Sequence, residues 1–179
     1  MILNSTPDVN PENFSQPAQF LFDQVLLERE TRKVKRSHDF MTIPLQALKE
    51  HQVFLNLAAN YNLTFLYAMA FWCEPFSSGL IHRDLDAWAF NIPLNKPGGK
   101  QVWVDGISVE PILTTYGDTN KKPFELYPAS TPHSVLGELL LDRPYFVNTN
   151  VLHFIDNSTN DSLRATLTVR FKGANPMLR

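Results

Sequence analysis

Residues 163–171 read Leu-Arg-Ala-Thr-Leu-Thr-Val-Arg-Phe, an unbroken alternation. In an extended chain Leu163, Ala165, Leu167, Val169 and Phe171 fall on one side, and Arg164, Thr166, Thr168 and Arg170 on the other. Such a strand needs an apolar layer against its first face. Its second face, carrying two arginines, must meet either solvent or a ligand cavity, and a half-exposed sheet gives the same alternation.

The rest of the chain supplies that apolar layer. Residues 17–30 are expected to be helical, with Ser15 as cap, Pro17 in the first turn, and Phe20, Leu21, Val25 and Leu26 on one face. Residues 44–59 repeat the device, with Thr42 as cap, Pro44 early, and Leu45, Leu48, Leu55 and Ala58 on a stripe. From Leu63 the period changes. Strands are expected at 63–73, 79–84, 87–94, 101–105, 107–112, 124–128, 135–141, 144–149, 151–155 and 162–171. The strong turn signal Asn95–Lys100 comes before 101–105, which reads as a return strand, and Asp105-Gly106 turns again. Residues 113–122 are polar and read as loop. Many short strands with frequent turns predict a mainly β fold of jelly-roll type, its leading helices packed outside one sheet.

At 179 residues, with 44% hydrophobic and 19% charged side chains and no repeat or composition break, one domain with a full core is expected. Within it, 1–62 read as a helical N-terminal part, 63–172 as the β core and 173–179 as a tail. A net charge of -2 leaves no overall footprint for nucleic acid or an anionic membrane. The basic run Arg29, Arg32, Lys33, Lys35 and Arg36 is interleaved with Glu28 and Glu30 and reads as a solvated helix end. No apolar stretch reaches the roughly 20 residues of a bilayer span, and no signal-peptide pattern opens the sequence. Cys73 is the single cysteine, set in the apolar run Ala68–Cys73, and reads as an inert core thiol. A cytoplasmic location is the expectation from these features.

Chemistry concentrates at His82-Arg83-Asp84. On a strand, positions 82 and 84 point the same way, about 7 Å apart. His153 lies in a second strand-like run, and Arg164 follows eleven residues later. Two imidazoles and a carboxylate can hold one face of a divalent iron and leave positions open, and a guanidinium suits a carboxylate. Each residue alone has an ordinary explanation: a surface His–Asp pair, a hydrogen-bonded strand histidine, a half-exposed strand. Their order within a β-rich chain favours a site. His38 and His51 fall in the N-terminal third, and His133 follows Thr131-Pro132 in an expected loop, so all three are left out. Trp88, Trp103 and Tyr116 lie near expected loop ends, where packing is favoured over lining a substrate mouth.

His82-Arg83-Asp84-Leu85 also spells the start of a protein-kinase catalytic loop, but Ala89 stands where the asparagine should be. With no glycine-rich loop upstream and too short a chain for two lobes, that reading fails.

On His82, Asp84, His153 and Arg164, residues 63–172 resemble the Fe(II)- and 2-oxoglutarate-dependent oxygenase superfamily, whose fold is a double-stranded β-helix. The resemblance implies iron held by His82, Asp84 and His153, and 2-oxoglutarate gripped at its far carboxylate by Arg164. Leu163–Phe171 further resembles the last core strand of the alkylated-nucleic-acid repair dioxygenases, which implies contact of Arg170 with the metal-side carboxylate. The implied reaction couples decarboxylation of the 2-oxo acid to succinate with hydroxylation of a C–H bond on a further substrate. No substrate-recognition lid of a named subfamily is evident, and the basic charge expected of a nucleic-acid enzyme is missing. Two other readings use the same residues: a zinc-dependent hydrolase, which gives Arg164 no task, and a non-catalytic jelly-roll binding or structural module.

Overall fold

The computed structural model describes residues 4–7, 10–84, 88–95, 99–114 and 124–173. Among these, thirteen strands form two antiparallel sheets. The first runs in the order β1 (Asn4–Ser5), β11 (Tyr145–Asn148), β6 (Trp88–Pro93), β13 (Arg164–Gly173), β3 (Leu63–Cys73) and β2 (His38–Ile43). The second runs β10 (Ser134–Leu140), β7 (Lys100–Asp105), β12 (His153–Asn157), β5 (Ile81–His82), β9 (Phe124–Tyr127) and β8 (Ile112–Thr114), with β4 (Ser77–Ser78) also on β12. The architecture is the mainly β jelly roll, or double-stranded β-helix, that the strand pattern predicts.

From β5 to β7 and from β10 to β13, consecutive strands change sheets. β6 and β7 lie on either side of the turn signal read at Asn95–Lys100, of which 96–98 lie outside the described residues, yet they belong to different sheets, so β7 does not return beside β6 but pairs with β10 and β12. Likewise β11 lies in the first sheet and β12 in the second. Gly99 permits the first crossing, because a Cβ there would stand 2.4 Å from Asp156 O and 3.1 Å from Arg164 Cδ. Gly106, at φ +74, takes the left-handed conformation of the turn after β7, and its N–H donates to Asp105 Oδ1 (2.7 Å).

The helices pack outside the first sheet. Helix α1 (Ser15–Thr31) contributes Pro17, Leu21 and Val25 to the buried side. Phe20, expected on that face, is 52% exposed, while Phe14 from the preceding 3-10 turn is buried instead. Phe14 rather than Ser15 is the N-cap residue, and Ser15 lies inside the helix, its hydroxyl donating to Glu12 O. The expected 44–59 helix is two helices, α2 (Leu45–Lys49) and α3 (Gln52–Tyr61), broken where His51 turns extended. Thr42 caps neither, because it belongs to β2. Leu48, Phe54 and Leu57 are buried, and Leu55 is exposed.

These side chains meet Ala68, Ala70 and Trp72 of β3, Phe90 and Ile92 of β6, and Ala165, Leu167 and Val169 of β13 in the main core. The apolar face of residues 163–171 therefore lies beneath the helices. Truncating a fully buried member such as Phe90 to alanine costs about 3–5 kcal/mol at sites of this kind. Arg29 pairs with Glu74 through two 2.6 Å hydrogen bonds. Arg32 bonds Glu28, Asp39 and the Phe40 carbonyl, with its guanidinium 5.3 Å from the Trp72 ring. These two members of the basic run tie the end of α1 to the sheet rather than standing in solvent.

The largest departure is β2. The N-terminal part is not purely helical: residues 38–43 form the edge strand beside β3, and Asn4–Ser5 edge the sheet at its other side. Residues 107–111 are not strand; only Ile112–Thr114 are. No helix among the described residues is long and apolar enough to cross a membrane.

Candidate metal centre

With Ala165, Leu167 and Val169 committed to the helical core, Arg164, Thr166, Thr168 and Arg170 point between the sheets, and all four are buried. His153 opens β12 in the facing sheet and pairs in register with His82 of β5 on one side and Trp103 of β7 on the other. Strand pairing thus brings the two imidazoles together, their ring centroids 4.5 Å apart.

Asp84 lies just past the end of β5, not on it, yet it reaches the same place. Its backbone N–H donates to Thr149 O (2.9 Å), which continues the pairing beyond the strand. Asp84 Oδ1 stands 3.6 Å from His82 Nε2, and Oδ2 stands 3.6 Å from His153 Nε2. One donor atom from each of His82, Asp84 and His153 falls within 4.8 Å of the others, so these three residues meet.

Each imidazole is anchored by the carbonyl two residues before it. His82 Nδ1 lies 2.9 Å from Leu80 O, and His153 Nδ1 lies 2.8 Å from Val151 O. A carbonyl only accepts, so each Nδ1 carries the proton and each Nε2 presents its lone pair to the cluster. Burial pushes the His153 imidazole down to about 4, with the His82 charge acting the same way, so it is a neutral ligand at ordinary pH.

Burial alone would push the Asp84 carboxyl up. The charge and hydrogen bond of Arg170, with the two nearby imidazoles acting in the same direction, outweigh it and hold Asp84 below its usual range. Arg170 donates from Nη2 to Asp84 Oδ2 and from Nη1 to Thr149 Oγ1 (2.6 Å). Thr149 therefore holds Asp84 twice, through its carbonyl and through Arg170. Arg170 takes Oδ2, which leaves Oδ1, facing His82, for a cation. From sequence, Asn148-Thr149 ahead of the distal histidine belongs to the resemblance, but nothing there gives Thr149 this part.

The donors suit a divalent first-row cation. Adjacent ligands bonded at about 2.1 Å stand about 3 Å apart on an octahedral ion, so the two 3.6 Å spacings, which involve different Asp84 oxygens, and the 4.8 Å span of the donor set require the ligands to draw inward when an ion binds. Arg164, the expected clamp, lies on the same face of β13 as Arg170. It is 5% exposed, and its Nη2 has no hydrogen-bond partner among the described residues. Desolvation lowers it to about 10. Asn91 Oδ1, Gln101 Nε2 and Arg170 Nε are also buried without partners, while Asn91 Nδ2 donates to Gln101 Oε1 (3.2 Å). That bond bridges β6 and β7, hence the two sheets.

The remaining residues sort as follows. His133 packs 5.6 Å from Phe154, whose side of β12 alternates with that of His153, and takes no part in the cluster. His38 lies on β2, not among helices; burial lowers it, and the His82 charge reaches it. Trp103 is fully buried, with its indole N–H on Asn148 O (2.8 Å), and Trp88 packs against the main core. Tyr116 lies outside the described residues. Cys73 is a buried thiol raised by desolvation, in keeping with an inert role.

No protein-family model matches this chain, and no curated protein sequence does. Solved structures do. The epimerase SnoN in complex with Fe3+, alpha ketoglutarate and nogalamycin RO aligns with a TM-score of 0.58 at 14% identity, covering 96% of this chain and 78% of SnoN. The non-heme alpha ketoglutarate-dependent carbocyclase SnoK from nogalamycin biosynthesis aligns at 0.53 and 14%, over 96% and 80%. EvdO2 from Micromonospora carbonacea var. aurantiaca aligns at 0.55 and 12%, over 97% and 93%. At such identities the likeness is one of fold, and this chain shares the jelly roll of these proteins along nearly its whole length.

Proposed function

We propose that the protein is a non-haem Fe(II)- and 2-oxoglutarate-dependent oxygenase acting on a small-molecule substrate. The observation that carries this is a buried Arg164 with unmet hydrogen-bonding capacity, facing the same interior as a cluster of two imidazoles and one carboxylate. A buried cation without a partner is costly unless a ligand completes it. The dicarboxylate of 2-oxoglutarate, one end at a metal and the other at a guanidinium, answers both needs.

In this reading His82, Asp84 and His153 hold Fe(II). Bound there with the 2-oxo acid, iron supplies dioxygen-dependent oxidation of a substrate C–H bond, coupled to decarboxylation to succinate. Arg164 fixes the far carboxylate. Arg170 and Thr149 orient Asp84, and the two carbonyl-anchored histidines keep their tautomers. Asn91 Oδ1 and Gln101 Nε2 offer further polar contacts to the cosubstrate. The fold neighbours include an epimerase and a carbocyclase, so hydroxylation is one of several outcomes this scaffold supports. A zinc hydrolase would use the same three ligands but leave Arg164 without a task.

Anaerobic titration of the apoprotein with Fe(II) and then 2-oxoglutarate tests the proposal. A weak visible charge-transfer band is expected, lost in Asp84→Ala and weakened in Arg164→Ala. Tight zinc uptake with a flat spectrum overturns it in favour of a hydrolase, and no metal uptake overturns it in favour of a binding module.

A further inference from the structure

The inner face of the first sheet does not stop at β13. In register beyond Arg164, Thr166, Thr168 and Arg170 stand Cys73, Phe71, Met69 and Tyr67 of β3, and beyond the first three of these His38, Phe40 and Thr42 of β2. Paired residues share a face, and Met41, Ile43, Ala68, Ala70 and Trp72 already occupy the helical side. The seven side chains therefore continue the floor of the cavity outward from the candidate metal centre.

Exposure changes abruptly along that floor. The β13 row is 4–6% exposed. On β3, Cys73 stays buried while Met69 and Phe71 are half-buried and Tyr67 is 40% exposed; on β2, Phe40 is half-buried and Thr42 exposed. Phe40 and Phe71 form a tilted pair with centroids 5.6 Å apart. No lysine, arginine, aspartate or glutamate stands in these two rows; His38, at the far end, is their single titratable nitrogen group.

The shelf abuts the centre directly. Tyr67 pairs with Arg170, whose guanidinium lies on Asp84, and His38 closes the row at the other end, in register with Cys73. With strands about 4.8 Å apart, a molecule lying on Tyr67, Met69 and Phe71 is on the order of 10 Å or less from the metal ligands. Half-exposed aromatic faces beside a reactive centre favour flat apolar rings, and these two rows themselves offer no Lys, Arg, Asp or Glu to meet an ionised one.

We infer that the shelf of Phe40, Tyr67, Met69 and Phe71 seats the substrate, and that this substrate is an uncharged, flat, largely apolar small molecule. The inference rests on the oxygenase reading for the identity of the centre. It gives these residues the specificity-determining part, and it places the reacting ring between β3 and the metal rather than among the tryptophans.

The test uses the full chain loaded with Mn(II) or Zn(II), uptake of each being measured first by calorimetry, and 2-naphthol as probe. Naphthol proton relaxation is expected to be enhanced at least about tenfold in the Mn(II) form over the Zn(II) form. Thr42→Glu at the exposed rim and Tyr67→Glu are each expected to weaken naphthol binding by about tenfold, and 2-naphthalenesulfonate is expected to bind that much more weakly than naphthol. No Mn(II) uptake overturns the oxygenase reading and this inference together. Mn(II) uptake with equal relaxation in both metal forms, or with binding unchanged in Thr42→Glu, overturns the shelf alone.

Discussion

Arg170 donates to Asp84 across 86 residues of sequence, joining the last strand to the carboxylate of the candidate metal centre. Arg170 is 4% exposed, and Asp84 holds its charge there only because the neighbouring cation offsets burial. Removing one partner of a buried pair leaves the other uncompensated. Asp84→Asn is therefore expected to destabilise the apoprotein by about 3–5 kcal/mol in urea denaturation. Adding Arg170→Met is expected to recover part of that loss. A single-variant cost below about 1 kcal/mol would show that the pair is hydrated rather than buried.

Arg164 behaves in the opposite sense. Its guanidinium is buried with no ion pair among the described residues, so it costs stability that a ligand repays. Arg164→Met is expected to raise apoprotein stability by about 1–3 kcal/mol. Wild-type protein loaded with Zn(II) is expected to gain thermal stability from 2-oxoglutarate, and the variant to gain far less. An Arg164→Met protein less stable than wild type contradicts this account.

The buried His153 makes stability depend on pH. Its folded value near 4 lies below the ordinary 6.5, so between those values the unfolded chain binds a proton that the folded chain refuses. Apoprotein stability should thus be complete above pH 6.5 and fall steadily toward pH 4, by about 3 kcal/mol at most. Asp84, held low in the fold, adds loss at still lower pH. Metal uptake by the folded apoprotein should weaken only as the pH approaches 4, where protons begin to compete for His153. Chemical denaturation at half-unit pH steps measures it, with His153→Gln expected to flatten the profile.

Gly99 offers a steric check on the chamber. A methyl at this position would meet Asp156 O, Asn157 Oδ1 and the Arg164 stem. The first is backbone and cannot rotate away, so the entry to β7 must shift and press on Arg164. Gly99→Ala is expected to raise the KM for 2-oxoglutarate several-fold while Zn(II) affinity stays near wild type, because His82, Asp84 and His153 lie away from the clash. Equal losses in both would mean general unfolding instead.

The alternation at 163–171 and the His82, Asp84 and His153 spacing carried the fold class and the cluster, because strand geometry converts sequence parity directly into facing. β2 was hidden for the converse reason. Asp39, Met41 and Ile43 face the helices while His38, Phe40 and Thr42 face the cavity, so both faces mix polar and apolar residues and no clean period appears. The sheet change between β6 and β7 was equally illegible, since a turn signal marks a reversal but not which sheet receives the returning strand. The break between α2 and α3 escaped because Leu45, Leu48, Leu55 and Ala58 keep a helical spacing across it, whereas the buried set, Leu48, Phe54 and Leu57, does not.

The carbonyls of Leu80 and Val151 that anchor the two imidazoles belong to the backbone, not to any ion. An emptied centre therefore keeps its rings aimed, and refilling it demands no search among rotamers or proton positions. Capture of a divalent ion by the emptied centre is therefore expected to be quick.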